Sequence, residues 1–101
     1  MKQITMVRVY LTESEQSLKK LLTYLHDESQ VSGVTVLRGI TGFGNSGKIY
    51  TASLLDLSLD LPIIVEFFDN PEKITVILSH IQNMIKPNHI VHWQATLIDK
   101  N

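Results

Sequence analysis

Hydrophobic and polar residues alternate along the first segment of the chain, residues 3–11. One side of the segment carries Thr5, Val7, Val9 and Leu11, and the other carries Ile4, Met6, Arg8 and Tyr10. A period of two in a stretch rich in β-branched residues predicts a β-strand.

Two other segments have the period of an amphipathic helix. Leucines recur at positions 18, 21, 22 and 25, behind a Thr12–Glu15 pair that has the spacing of a capping box. The second apolar stripe comprises Ile74, Ile77, Leu78, Ile81 and Ile85. It follows Asn70 and Pro71, which predict a helix start, and Pro87 should end it.

Extended segments complete the chain at residues 34–40, 61–68 and 90–98, and extension resumes at 48–55 after a glycine-rich loop. The order β-α-β-loop-β-α-β predicts an α+β, ferredoxin-like βαββαβ fold. Each helix has one apolar stripe, so both should pack on one face of a four-stranded antiparallel sheet. We expect residues 1–101 to form a single domain.

The sheet face away from the helices is predicted to be unusually apolar. We place on it Met6, Arg8, Tyr10, Ile64, Glu66, Phe68, Ile90 and His92, whereas Trp93 is expected to point into the core. Apolar area of this extent usually marks an interface, so we expect a homo-oligomer in which these faces pack together. Arg8 and Glu66 would lie on the two central strands and pair there.

Composition narrows the class of protein. The 101 residues are 44% hydrophobic and 19% charged, which is typical of a soluble globular protein. A net charge of −1 predicts no nucleic-acid partner, and the absence of cysteine excludes disulfides and thiolate chemistry. No targeting segment is visible, so we expect a cytoplasmic protein.

The segment Gly39–Lys48 is the strongest candidate for chemistry. Glycines let a backbone approach a ligand closely, and consecutive N–H groups can form an anion-binding nest. Arg38 and Lys48 flank the segment and could contact phosphate. The same pattern is typical of a mobile hairpin loop, so both interpretations stay open here.

The same segment satisfies G-x-x-x-x-G-K from Gly42 to Lys48, most of a Walker phosphate-binding loop. The next residue is Ile49 rather than Ser or Thr, and the β-branched residues after it do not predict the helix that the motif requires. We therefore do not expect a nucleoside triphosphatase.

Catalytic and metal-binding patterns are weak. No serine stands beside a base in a recognisable arrangement, and Glu13 and Glu15 are explained by the helix end, so we expect no enzyme. A metal shared between subunits by His92 and Glu66 stays an alternative without an evident third ligand.

Three motifs carry a family resemblance: TVLRG (Thr35–Gly39), GFG (Gly42–Gly44) and LSLDLPIIVE (Leu57–Glu66). With them the chain resembles, over nearly its whole length, the PII-like proteins of the family DUF190. The resemblance implies a ferredoxin-like homotrimer that binds an adenine nucleotide between subunits. It also implies that the loop after the second strand contacts an unidentified target protein, with a membrane transporter as one option.

The resemblance assigns nucleotide contacts to Thr35, Gly42, Phe43 and Gly44, and we add Arg38, Gly39 and Lys48 as candidate ligand-binding residues. The glycine-lysine phosphate clamp of PII proteins is missing, since only Lys86, Pro87 and Asn88 occupy that position. Because cations are few, we expect AMP or ADP as effector rather than a triphosphate, and no required cofactor. The alternative function is a metal-responsive trimer similar to copper-tolerance proteins.

Overall fold

The computed structural model describes residues 1–44, 47–51 and 60–99. The main strands are β1 (Lys2–Thr12), β2 (Gly33–Arg38), β5 (Pro62–Asp69) and β6 (Ile90–Leu97), and a hairpin contains β3 (Thr41–Phe43) and β4 (Ile49–Thr51). The helices are α1 (Gln16–Thr23), which continues as a π-helical turn over Tyr24–Ser29, and α2 (Pro71–Ile81). The extension expected at 52–55 lies outside the described residues.

The four main strands form an antiparallel sheet in the order β2-β5-β1-β6. Both helices contact β1, and the core between helices and sheet is almost entirely aliphatic. Its fully buried members are Val7, Val9, Val65, Phe67, Leu21, Leu25, Ile74, Ile77 and Ile81. The α+β ferredoxin-like fold predicted from the sequence is confirmed.

The face of β6 was predicted wrongly. Met6 pairs with Trp93 and Arg8 with Val91, so Trp93 lies on the side of the sheet opposite the helices. His92 pairs with Val7, on the helix side, where Ile90 packs against the core. Alternation alone separates two sets of residues but does not say which one faces the core, and both sets here contain apolar residues.

We call the sheet face opposite the helices the open face. The register assigns to it Ile4, Met6, Arg8, Tyr10, Gly33, Thr35, Leu37, Ile64, Glu66, Phe68, Val91, Trp93 and Ala95. Tyr10, Leu37, Val91 and Trp93 are each 39–45% exposed. Apart from the predicted Arg8–Glu66 pair, which the structure contains, this surface is dominated by apolar groups.

The two helices begin differently. The Asn70 side chain accepts a hydrogen bond from the Lys73 N–H at 2.9 Å, with Pro71 as the first helical residue, as predicted. The expected capping box of α1 is absent, because the Thr12 hydroxyl donates to the Glu15 carboxylate at 3.3 Å instead of accepting from its N–H. Helix α2 ends at Ile81 and not, as predicted, at Pro87. Ile85 is nevertheless buried, because the turns after α2 fold back on the core.

Asp69 joins β2 to β5 beneath the start of α2. Its carboxylate accepts hydrogen bonds from the N–H and hydroxyl of Ser32 and from the N–H of Asn70, and it lies 3.4 Å from the Lys73 ammonium. Burial by itself would raise the pKa of Asp69, but the hydrogen bonds to the ionised form together lower it.

Candidate functional site

The glycine-rich segment folds as a small antiparallel hairpin outside the main sheet. Thr41 pairs with Thr51, Gly42 with Tyr50, and Phe43 with Ile49. Lys48 is followed by strand β4 and not by the helix N-terminus that a Walker loop requires. The extended structure predicted after Lys48 is thus confirmed for Ile49–Thr51.

The base of the hairpin rests on Pro62, the first residue of β5. The Gly39 N–H donates to the Pro62 carbonyl at 2.7 Å. A Cβ at Gly39 or Gly42 would lie 3.2 or 3.1 Å from Pro62 Cγ, tighter than ordinary van der Waals contact. These two glycines are thus explained by close packing on Pro62, before any ligand is considered.

The hairpin tip has different requirements. A Cβ at Gly44 would meet no heavy atom within 4 Å of it, so the described chain leaves open space beside this backbone. Gly47 has φ +77°, a conformation that favours glycine.

A cleft of about 530 Å³ opens between the hairpin, the end of β1 and the segment that follows α2. The hairpin and its root contribute Gly39, Thr41, Gly42, Phe43 and Gly44 to the lining. The end of β1, the start of α1 and the segment after α2 contribute its polar residues, which are Tyr10, Thr12, Glu15, Lys86 and His89. Leu11, Pro62, Ile63 and Ile64 give the cleft its apolar part.

The predicted site residues divide into two groups. Gly39, Gly42, Phe43 and Gly44 line the cleft, whereas Thr35, Arg38 and Lys48 do not. Thr35 lies on edge strand β2, opposite Glu66 on the open face. Arg38, at the end of the same strand, forms an ion pair with Glu13.

Acidic residues offset the charge of the two cations that flank the hairpin. Besides pairing with Arg38, the Glu13 carboxylate accepts from the Leu61 N–H at 3.4 Å. Asp60 accepts 2.9 Å hydrogen bonds from the N–H and hydroxyl of Ser14. Partial burial would raise the pKa of Asp60, but these hydrogen bonds, a third from Thr12 and the charge of Lys48 lower it. In this conformation neither cation is presented to the cleft.

Lys86 and Glu15 were not among the predicted site residues. The Lys86 ammonium lies 3.9 Å from Glu15 Oε1, within the cleft lining. From the sequence, Lys86 was interpreted as a residue at the position of a missing phosphate clamp, and Glu15 as a helix-end residue. One signal was available: Lys86 is the only Lys or Arg between α2 and β6, where a phosphate partner was sought.

Within one chain, the two residues considered for a metal shared between subunits lie on opposite faces of the sheet. Glu66 lies on the open face and is bonded to Arg8, whereas His92 lies on the helix side of β6. Over residues 1–44, 47–51 and 60–99, no group of three or more metal-ligating side chains is found. No helix in those same ranges is long and apolar enough to cross a membrane.

Sequence comparison identifies relatives over most of the chain. The profile of the DUF190 family, described as "Uncharacterized ACR", matches residues 4–97. A UPF0166 protein of Methanocaldococcus jannaschii is 31% identical over 90 residues, covering 84% of this chain and 82% of the relative. A UPF0166 protein of Aquifex aeolicus is 30% identical over 90 residues, covering 89% and 91%.

Solved structures share the fold at lower identity. CPII from Thiomonas intermedia K12, solved with ADP and bicarbonate bound, superposes with a TM-score of 0.66 at 19% identity, over 93% of this chain and 85% of CPII. The divalent ion tolerance protein CutA1 from Ehrlichia chaffeensis gives 0.61 at 11% identity, over 100% and 87%. CutA1 from Oryza sativa gives 0.62 at 14%, over 98% and 84%.

Proposed function

The chain belongs to the DUF190 family of PII-like proteins, and we propose that it is a regulatory protein that binds a small anionic effector in the cleft beside the glycine-rich hairpin. One observation carries the proposal: Gly42, Phe43 and Gly44 line the same cleft as Lys86. Backbone amides and a lysine are the groups with which proteins commonly hold phosphate.

An adenine nucleotide suits the shape and polarity of this cleft. Its volume of about 530 Å³ lies in the range of small-molecule sites, and Phe43, Pro62 and Ile64 offer apolar surface for a base. Among the residues that the structure describes, Lys86 is the one Lys or Arg that lines it, which favours AMP or ADP over a triphosphate. CPII, which shares the fold, was solved with ADP and bicarbonate.

We further propose a homotrimer built on the open face. Its half-exposed apolar side chains need a partner, and a second copy provides the same surface. Thr35 lies on edge strand β2 and does not line the cleft of its own subunit. In the proposed assembly it would reach the cleft of a neighbouring subunit. Arg38 would join the site only if its ion pair with Glu13 were replaced by one with phosphate. Lys48 would join it only by moving away from the carboxylate of Asp60.

The hairpin is the proposed contact with a target protein. Ile40 and Phe43 are each 77% exposed and Ile49 is 67% exposed, so the hairpin presents apolar groups to solvent. Because one wall of the cleft is the hairpin itself, a ligand that prefers one hairpin orientation would shift affinity for the target. No described feature favours the metal-responsive alternative.

Calorimetric titration with AMP, ADP, ATP, cyclic AMP and bicarbonate tests this proposal. We expect binding of AMP or ADP, and weaker binding by Lys86→Met and Gly44→Ala. Gly44→Ala is informative because its methyl group enters open space and should leave stability unchanged. Lys19→Met, on the exposed side of α1, is the charge-matched control and should bind normally. Absence of heat with all five compounds would contradict the proposal.

A further inference from the structure

A carboxylate is fixed inside the cleft that we propose for an anion. Glu15 lines this cleft, and its side chain is only 17% exposed. The Thr12 hydroxyl donates to Oε1 and the Ser17 hydroxyl donates to Oε2, each at 3.3 Å. These bonds tie the group to the start of α1, so it cannot leave the cleft without breaking them.

The cation beside it is less restrained. Lys86 is 66% exposed, and its ammonium is 3.9 Å from Glu15 Oε1, beyond hydrogen-bond distance. A bound phosphate would compete with Glu15 for this ammonium. If the phosphate binds the Lys86 ammonium, the largely buried Glu15 carboxylate loses its neighbouring cation and has a second anion close to it.

We propose that Glu15 is a specificity-determining residue, which restricts the effector to few negative charges by repelling each additional phosphate. This inference rests on the proposed function of the cleft. Among the described residues that line the cleft, Lys86 is the one Lys or Arg, and it can offset about one ligand charge. A further charge is repelled by Glu15 unless Arg38 or Lys48 leaves its acidic partner to meet it. The repulsion between two like unit charges about 4 Å apart in a water-like medium lowers binding affinity roughly fivefold. Discrimination should therefore grow with ligand charge.

The test compares wild type with Glu15→Gln in titrations with AMP, ADP and ATP, and with phosphate, pyrophosphate and tripolyphosphate. We expect Glu15→Gln to gain affinity that increases with ligand charge: least for AMP and phosphate, most for ATP and tripolyphosphate, by at most about fivefold per added charge. The gain should shrink at high ionic strength.

Three companion variants make the result specific. Glu28→Gln removes the same charge from the far end of the helical segment and should change no affinity. Glu15→Ala should show the same gain in affinity as Glu15→Gln, although it has no side-chain amide that could bind the ligand. Glu15→Asp keeps the negative charge and should rank the ligands by affinity as the wild type does. Thermal melting of each variant shows whether it is folded.

The outcomes separate the two proposals. If nucleotides bind but Glu15→Gln changes all affinities by one common factor, or weakens them, the inference is overturned and the proposed function survives. If none of the six compounds binds any folded variant, the inference is overturned, and the proposed function is overturned with it when cyclic AMP and bicarbonate also fail to bind. A gain by Glu28→Gln equal to that of Glu15→Gln would reduce the effect to net charge and also overturn the inference.

Discussion

Arg8 donates a 2.7 Å hydrogen bond from Nε to Glu66 Oε2, across the paired central strands β1 and β5. The same guanidinium lies 5.6 Å from the ring centroid of Trp93 on β6. Hydrogen bonds to Glu66 and to Tyr10 raise the pKa of Arg8, so it stays charged throughout the range in which proteins fold. On the open face, the Arg8–Glu66 ion pair therefore lies against the ring of Trp93.

Trp93→Ala should weaken self-association if the open face is the subunit interface. Truncating a central aromatic residue in an interface typically costs about 2 kcal/mol of binding free energy. Sedimentation velocity over a concentration series measures the change. Ile98→Ala, which alters a 76% exposed residue beyond the end of β6, is the control. A wild-type protein that stays monomeric at micromolar concentration would contradict this prediction.

Asn70→Ala should destabilise the fold by about 1 kcal/mol, because the Lys73 N–H loses its capping partner at the start of α2. Urea denaturation measures the loss. Asn70→Asp retains an acceptor and should be close to wild type, whereas Asn83→Ala changes an exposed turn residue and should have no effect. Equal stability of Asn70→Ala and wild type would show that the cap contributes nothing.

Asp69 should make stability depend on acid pH. Its folded-state pKa is lowered, so its contribution is complete above the unfolded value of about 3.9 and is lost as pH falls through the folded value. Urea midpoints of wild type and Asp69→Asn, measured from pH 7 to pH 2, should converge towards the acid end. A constant difference between the two proteins would mean that ionisation of Asp69 is not the source of its effect.

Gly42→Ala should destabilise by roughly 1 kcal/mol because the added methyl group crowds the ring of Pro62. The penalty should be smaller in a Pro62→Ala background, where the crowded Cγ is absent. A double-mutant cycle of unfolding free energies measures this coupling. Gly44→Ala, which meets no neighbour, is the matched control. Additive effects in the cycle would exclude Pro62 as the cause.

Local signals in the sequence predicted much of the fold. Alternation in residues 3–11 identified β1 and its buried side, and the Asn70–Pro71 pair identified the start of α2 to the residue. Both signals act over a few residues, and no distant part of the chain competes with them. The element order then limited the topology to the ferredoxin-like arrangement.

The features that were not predicted from the sequence depend on contacts between distant segments of the chain. Glu13 pairs with Arg38 because the ends of β1 and β2 meet, and Glu15 lies beside Lys86 because the start of α1 meets the segment that follows α2. The inward orientation assigned to Trp93 was wrong because a large aromatic residue is compatible with either side of β6. The helix-end pattern near Glu15 contains no information about Lys86. The alternation near Trp93 contains none about the strand residues that Trp93 lies beside.

Pro62 occupies a position with mechanical importance. It holds the Gly39 N–H through its carbonyl, limits how closely Gly42 can approach through its ring, and begins the strand that contains Ile63 and Ile64. Because the proline ring fixes one backbone torsion, Pro62 is a stiff link between the hairpin root and the lining of the cleft. Under the proposed function, a ligand that fills the cleft would contact the same residue that positions the hairpin.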